Sequence, residues 1–261
     1  MILGIDIGGS KIRGILWDGK KIRKSWEFRT PKTLKGFEKV ITELIHNSSS
    51  ASWRTPSSYS KRRGRGGGVN KIGIGIAGVV VGTKIISATN ISYFKNYDFK
   101  TLFSNLHFPI LNLKIDNDAR TFAQAEYNFG AGKGYKSALF ITLGTGVGRA
   151  YGIQKLTRSV FEGKILKIKK FEKAESWEKD YQKIKNKNIL TKFLSENLIP
   201  IIHVLGADVI VLGGGVIEKK GYFEAIKKQL SSDGTVGAKL DIRRSKLGKF
   251  AGAIGAAMLW K

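Results

Sequence analysis

The sequence contains no cysteine, which excludes a disulfide framework and any thiolate metal site. Histidine is scarce as well. His46, His107 and His203 stand far apart and in no ligand spacing, which argues against a histidine-rich metal centre. Acidic residues are few: 20 Asp+Glu against 46 Lys+Arg leave a formal net charge of +26. That excess favours nucleic acid, acidic membranes or phosphate compounds as partners without choosing among them. Long apolar runs are also missing. The most apolar stretch, residues 198–217, holds Pro200, His203, Asp208 and three consecutive glycines, so no membrane span is expected. The opening MILGIDIGGSK places Asp6 where a signal peptide needs an apolar run, and no basic region precedes it. The expectation is a soluble, cytoplasmic protein.

Hydrophobic residues make up 42% of the 261, enough to bury the core of one large domain or two small ones. The patterning is mixed α/β. Residues 2–7 and 12–17 read as strands around a glycine-rich turn, and Asp18-Gly19-Lys20 marks a hairpin before a strand at 22–28. Leu34, Phe37, Ile41, Leu44 and Ile45 recur at helical spacing, predicting a helix over 33–46. Further strands are expected at 71–76, 111–115, 139–143 and 209–212, and helices at 119–129, around 223–230 and at 250–260. Residues 155–192 hold twelve Lys/Arg against five Asp/Glu, mostly on an expected long, exposed helix from about Glu175. Residues 47–70, rich in serine, arginine and glycine and without an acid, read as a flexible basic insertion. They form either a solvated loop or a grip for a polyanion, with Trp53 and Tyr59 available for stacking.

Four segments join a buried strand to a glycine-rich turn: GIDIGGSK (4–11), GIGIAG (73–78), LGTGVG (143–148) and VLGGGV (211–216). Such turns bring backbone N–H groups close to phosphate. The second matches the dinucleotide-binding fingerprint letter for letter, but that fingerprint opens a helix, and Val79-Val80-Val81 is strand-like. The first places Asp6 at a strand end beside Gly8, Gly9 and Ser10, a carboxylate for Mg²⁺ next to amides for phosphate. Gly144-Thr145-Gly146 repeats the donors, as if to clamp a phosphate chain between two hairpins. Ile115-Asp116-Asn117-Asp118 ends another strand; its carboxylates serve either as a base for a hydroxyl nucleophile or as an N-cap.

Taken in order, GIDIGGSK, GIAGVVVG…ATN, IDNDAR, FGAGKG with LGTGVG, and DVIVLGGGV resemble the ROK family of sugar kinases. The resemblance implies an actin-like ATPase fold: α/β, with two ribonuclease H-like domains around a central cleft. The domains would be 1–117 and 118–246, with 247–261 a C-terminal helix returning to the first. It further implies ATP as donor, Mg²⁺ on Asp6, and a hexose as acceptor. Gly8, Gly9, Ser10 and Lys11 would form the first phosphate turn and Gly144, Thr145 and Gly146 the second; Gly213, Gly214 and Gly215 would face the adenosine. Asn90 and Asn117 would bind the sugar, and Asp118 would be the general base. The family's cysteine zinc cluster is absent, as in polyphosphate glucokinases, so no zinc is expected. Its Glu-x-Gly-His motif is reduced to Phe161-Glu162-Gly163-Lys164, leaving Glu162 as the substitute, and Arg149 replaces a glycine.

Inorganic polyphosphate is an alternative donor, suited to the positive charge. A catalytically degenerate sugar or nucleotide binder and a nucleic-acid binder acting through 47–70 are further alternatives. The first strand at Ile2 leaves no expected N-terminal DNA-reading segment. A homodimer is left open.

Overall fold

A computed structural model describes residues 1–48, 69–88, 90–106, 112–157, 160–165, 175–232 and 240–261. Most of the basic insertion, 49–68, lies outside them. The chain divides into two compact units, Met1–Asp118 with Ala256–Lys261, and Ala119–Gly255.

In the first unit, β1 (Ile2–Ile7), β2 (Lys11–Trp17), β3 (Ile22–Arg29), β4 (Lys71–Ile76) and β8 (Leu113–Asn117) form one sheet in the order β3-β2-β1-β4-β8. The first three strands are antiparallel hairpins; β4 and β8 run parallel to β1. Burial follows position. β1 and β4 are central and mostly buried, whereas β3, at the edge, has only exposed and half-buried residues. Helix α1 (Leu34–Ser48) buries Phe37, Ile41, Leu44 and Ile45 along one stripe. A small antiparallel sheet, β5 (Val79–Val81), β6 (Lys84–Ser87) and β7 (Lys95–Asp98), follows β4, and then α2 (Phe99–Asn105). A strand therefore follows Gly78, in keeping with the rejection of the dinucleotide fingerprint.

The second unit repeats the plan. After α3 (Asp118–Phe129), strands β9 (Ser137–Leu143), β10 (Val147–Thr157), β11 (Val160–Ile165), β12 (Val209–Gly213) and β13 (Asp241–Arg244) are ordered β11-β10-β9-β12-β13. Again the first three are antiparallel and the last two parallel to the opening strand. Alternate residues of β9 feed two cores: Leu139, Ile141 and Leu143 on one face, Ala138 and Phe140 on the other.

The long exposed helix expected from Glu175 is instead two packed helices, α4 (Glu175–Lys183) and α5 (Lys187–Leu205). Asn186 separates them by accepting the Asn188 and Ile189 amide hydrogens as an N-cap. Trp177, Tyr181, Leu190, Leu194, Leu198 and Ile202 are buried, so only one side of this lysine-rich region is solvated. After α6 (Tyr222–Ser232), the expected closing helix is a 3₁₀ turn (Gly248–Phe250) leading into α7 (Ala251–Met258). Glu162 lies on β11, opposite Lys155, and not on a loop. No helix among the described residues is long and apolar enough to cross a membrane.

The small residues of α7 have a steric cause. A Cβ on Gly255 would stand 1.6 Å from the Thr121 carbonyl oxygen, and one on Gly73 of β4 would stand 1.8 Å from that of Ala256. Both obstacles are backbone, which cannot swing aside. Gly255→Ala and Gly73→Ala should each lower unfolding free energy by about 3 kcal/mol or more in urea titration. Gly144→Ala, with nothing within 4 Å, should leave it nearly unchanged.

Candidate active site

Strands β1, β4 and β8 are level. Asp6 pairs with Gly75, and Gly75 with Asp116; Ile7 pairs with Ile76, and Ile76 with Asn117. Asp6 and Asp116-Asn117-Asp118 therefore gather at the carboxyl ends of parallel strands, the edge where open α/β sheets bind ligands. Burial, and then the negative field of Asp118, raise the Asp6 carboxyl to about 7; Arg13 pulls the other way. The Arg13 guanidinium stands 4.0 Å from Asp6 and is shared with Glu27, at 2.9 Å. Arg13 was not among the expected site residues, yet Asp6 and Arg13 are cross-strand partners, a register that counting across the Gly8–Ser10 turn would have found.

The turns are more specialised than their glycines suggest. The Gly8 amide donates to the Lys11 carbonyl at 2.9 Å, and its own carbonyl accepts from the Thr30 hydroxyl at 2.6 Å, so Gly8 is spent on hairpin geometry. Lys11 places its ammonium on Glu27, 2.7 Å away. Asn117 is buried and donates its side-chain amide to the Gly78 carbonyl at 3.1 Å. Asn90 is half-buried in the turn region after β6.

In the second unit, Gly144 and Thr145 are exposed, and the Gly144 amide closes the turn onto the Gly146 carbonyl at 3.0 Å. Gly214 has φ of +93°, and a Cβ there would meet the Leu143 carbonyl at 2.4 Å. Val216 donates to that same carbonyl at 3.0 Å, so the turns at 144–146 and 213–215 form one backbone assembly. Gly213 is buried, with the Phe122 ring where a Cβ would go; around Gly215 there is open space. Arg149, on β10, stacks its guanidinium 4.5 Å over the Trp177 ring. Among the described residues no cluster of three or more His, Asp or Glu side chains suits a metal ion.

The ROK family model matches residues 2–158 and 151–261, nearly the whole chain. The chain belongs to the ROK family. A glucokinase from Streptomyces coelicolor is 28% identical over 165 residues, covering 62% of this chain and 46% of that protein. The N-acetylgalactosamine kinase AgaK of Shewanella sp. strain ANA-3 is 27% identical over 154 residues, 57% of this chain and 44% of that one. The matches thus span less than half the length of these relatives. Among solved structures, a ROK glucokinase from Streptomyces griseus in complex with glucose and AMPPNP superposes with a TM-score of 0.71 at 21% identity, covering 99% and 98% of the two chains. The inorganic polyphosphate/ATP-glucomannokinase of Arthrobacter sp. strain KM gives 0.67 at 23% identity, covering 99% and 97%. These likenesses establish the actin-like ATPase fold for this ROK chain.

The raised Asp6 carboxyl has a consequence for stability. A folded-state value of about 7 against 3.8 means that the native state holds a proton the unfolded chain releases, so this residue erodes stability as pH rises from 3.8 through about 7. Asp6→Asn should therefore raise unfolding free energy by up to about 4 kcal/mol near about pH 8, with the gain vanishing towards about pH 4. Urea titrations of both proteins across that range check it.

Proposed function

We propose that this ROK protein transfers the γ-phosphoryl group of ATP to a hexose hydroxyl, with Asp118 as general base. The observation that carries the reading is the carboxylate pair Asp6 and Asp118 at the carboxyl ends of parallel strands, with Arg13 only partly offsetting its charge. The relatives named as glucokinase and N-acetylgalactosamine kinase support a sugar acceptor.

In this reading Asp118 takes the proton of the attacking hydroxyl, whose oxygen bonds the γ-phosphorus. The bond from that phosphorus to the bridging oxygen breaks, and ADP leaves. Gly9 and Ser10, and separately Gly144, Thr145 and Gly146, offer amides and hydroxyls to donor phosphates. Gly213–Gly215 supports the adenosine, and Asn90, Asn117 and Glu162 contact the hexose, Asn117 while also holding Gly78. Asp6 suits Mg²⁺, which takes one or two protein carboxylates and completes its shell with phosphate oxygens and water. The charge of Asp118, which adds to burial in raising the Asp6 carboxyl, fits that role, and the bound ion would supply neutralisation of donor charge.

Nucleotide consumption measured across a matrix of donors and hexoses tests the proposal. At least one hexose should stimulate it, and Asp118→Ala should lower kcat by about 10²- to 10⁴-fold. Consumption that no hexose stimulates, or an unaltered rate in the variant, would refute it.

The net charge of +26 favours a second reading in which inorganic polyphosphate serves as donor. Polyphosphate should then act at low salt, and its apparent affinity should fall with added salt far more steeply than that of ATP. Equal salt dependence would remove this alternative.

A further inference from the structure

The second phosphate turn is gripped from behind by a residue to which the proposed reaction assigns no role. Tyr181, on α4, is buried and donates its hydroxyl to the Gly144 carbonyl at 3.0 Å. That carbonyl shares its planar peptide unit with the Thr145 amide. In a trans peptide the C=O and N–H point in opposite directions, so fixing one aims the other. Anchoring the Gly144 carbonyl on Tyr181 therefore turns the Thr145 N–H away from α4, on a turn whose Gly144 and Thr145 are exposed.

Helix α4 is itself docked. Trp177 lies one turn before Tyr181 on the same face, and the Arg149 guanidinium stacks 4.5 Å over its ring. Arg149 follows the turn on β10, so the two contacts tie α4 to the strand at one point and to the turn at another. The Leu143 carbonyl, just before the turn, is held by Val216 at 3.0 Å. The turn is thus fixed at Leu143 from the β12 side and at Gly144 from the α4 side. Burial pushes the Tyr181 phenol up to about 12, so it remains a donor throughout the neutral range.

We infer that Tyr181 is a positioning residue for the phosphoryl donor, orienting the Gly144–Thr145 peptide, with the Arg149–Trp177 stack holding the helix that carries it. The inference rests on the reading of 144–146 as a donor-phosphate turn. Its signature is a donor effect without an acceptor effect.

The test compares wild type with Tyr181→Phe, which keeps the ring and removes only the hydroxyl. The control is Tyr151→Phe, which deletes a like bond in the same unit, Tyr151 hydroxyl to the Leu205 carbonyl at 2.7 Å, away from the turn. Two quantities are read: the affinity for the non-hydrolysable ATP analogue AMPPNP by calorimetry, and the donor and hexose KM values. Tyr181→Phe should weaken AMPPNP and raise the donor KM by about three- to tenfold, the range expected for one lost hydrogen bond, with the hexose KM unchanged. The control should change neither. Wild-type donor affinity in Tyr181→Phe, or an equal change in the control, would overturn the assignment while leaving the kinase reading intact. If wild type itself neither binds AMPPNP nor consumes ATP, the donor reading of the turn fails, and this inference with it.

Discussion

Strands β1, β4 and β8 run parallel and end level, and the chemistry of the first unit depends on that register. It carries Asp6 and the Asp116–Asp118 segment, more than a hundred residues apart in sequence, to one edge of one sheet. A slip of one residue in β1 would turn Asp6 to the opposite face and separate the carboxylates. The register is fixed by the burial of most of β1 and β4, where any shift would exchange apolar side chains between faces. The raised proton affinity of Asp6 is the cost of this arrangement. An ordinary surface aspartate would not carry it.

Both units use one plan, and the plan explains the four glycine segments. Gly8–Ser10 and Gly144–Gly146 each link the first and second strands of a sheet, whereas Ala77-Gly78 and Gly213–Gly215 follow the strand parallel to the first. The segments are two pairs of equivalent positions. Equivalence of place is not equivalence of use. Gly8 is spent on its hairpin, Gly78 is held by Asn117, and Gly214 makes room for the Leu143 carbonyl. Within the four motifs only Ser10, Lys11, Gly144, Thr145 and Gly215 remain exposed. The letter-perfect dinucleotide fingerprint at 73–78 shows the same distinction: Gly73 is small because Ala256 of α7 lies against it.

Much of this was open to reading from the sequence. Apolar runs, hairpin dipeptides and helical spacing located the elements of both sheets, and the ordered motifs pointed to the family. In the lysine-rich region after 175, charge density conceals the buried stripe of Trp177, Tyr181, Leu190 and Leu194. The Asn186 cap that breaks it is a single residue within a run of lysines. Arg13 was recoverable by counting across the first hairpin. Tyr181 was not, because nothing local links it to a glycine 37 residues earlier.

The α/β class, the placing of the glycine turns at strand ends and the exclusion of thiolate chemistry follow from local pattern and composition, and so are legible in the chain alone. Which glycines are demanded by packing, which carboxyl has its proton affinity raised and which side chain holds the Gly144–Gly146 turn emerge only from the tertiary structure. Those outcomes depend on close approach between residues far apart along the chain. Burial and backbone contact of that kind exist only once the strands have paired.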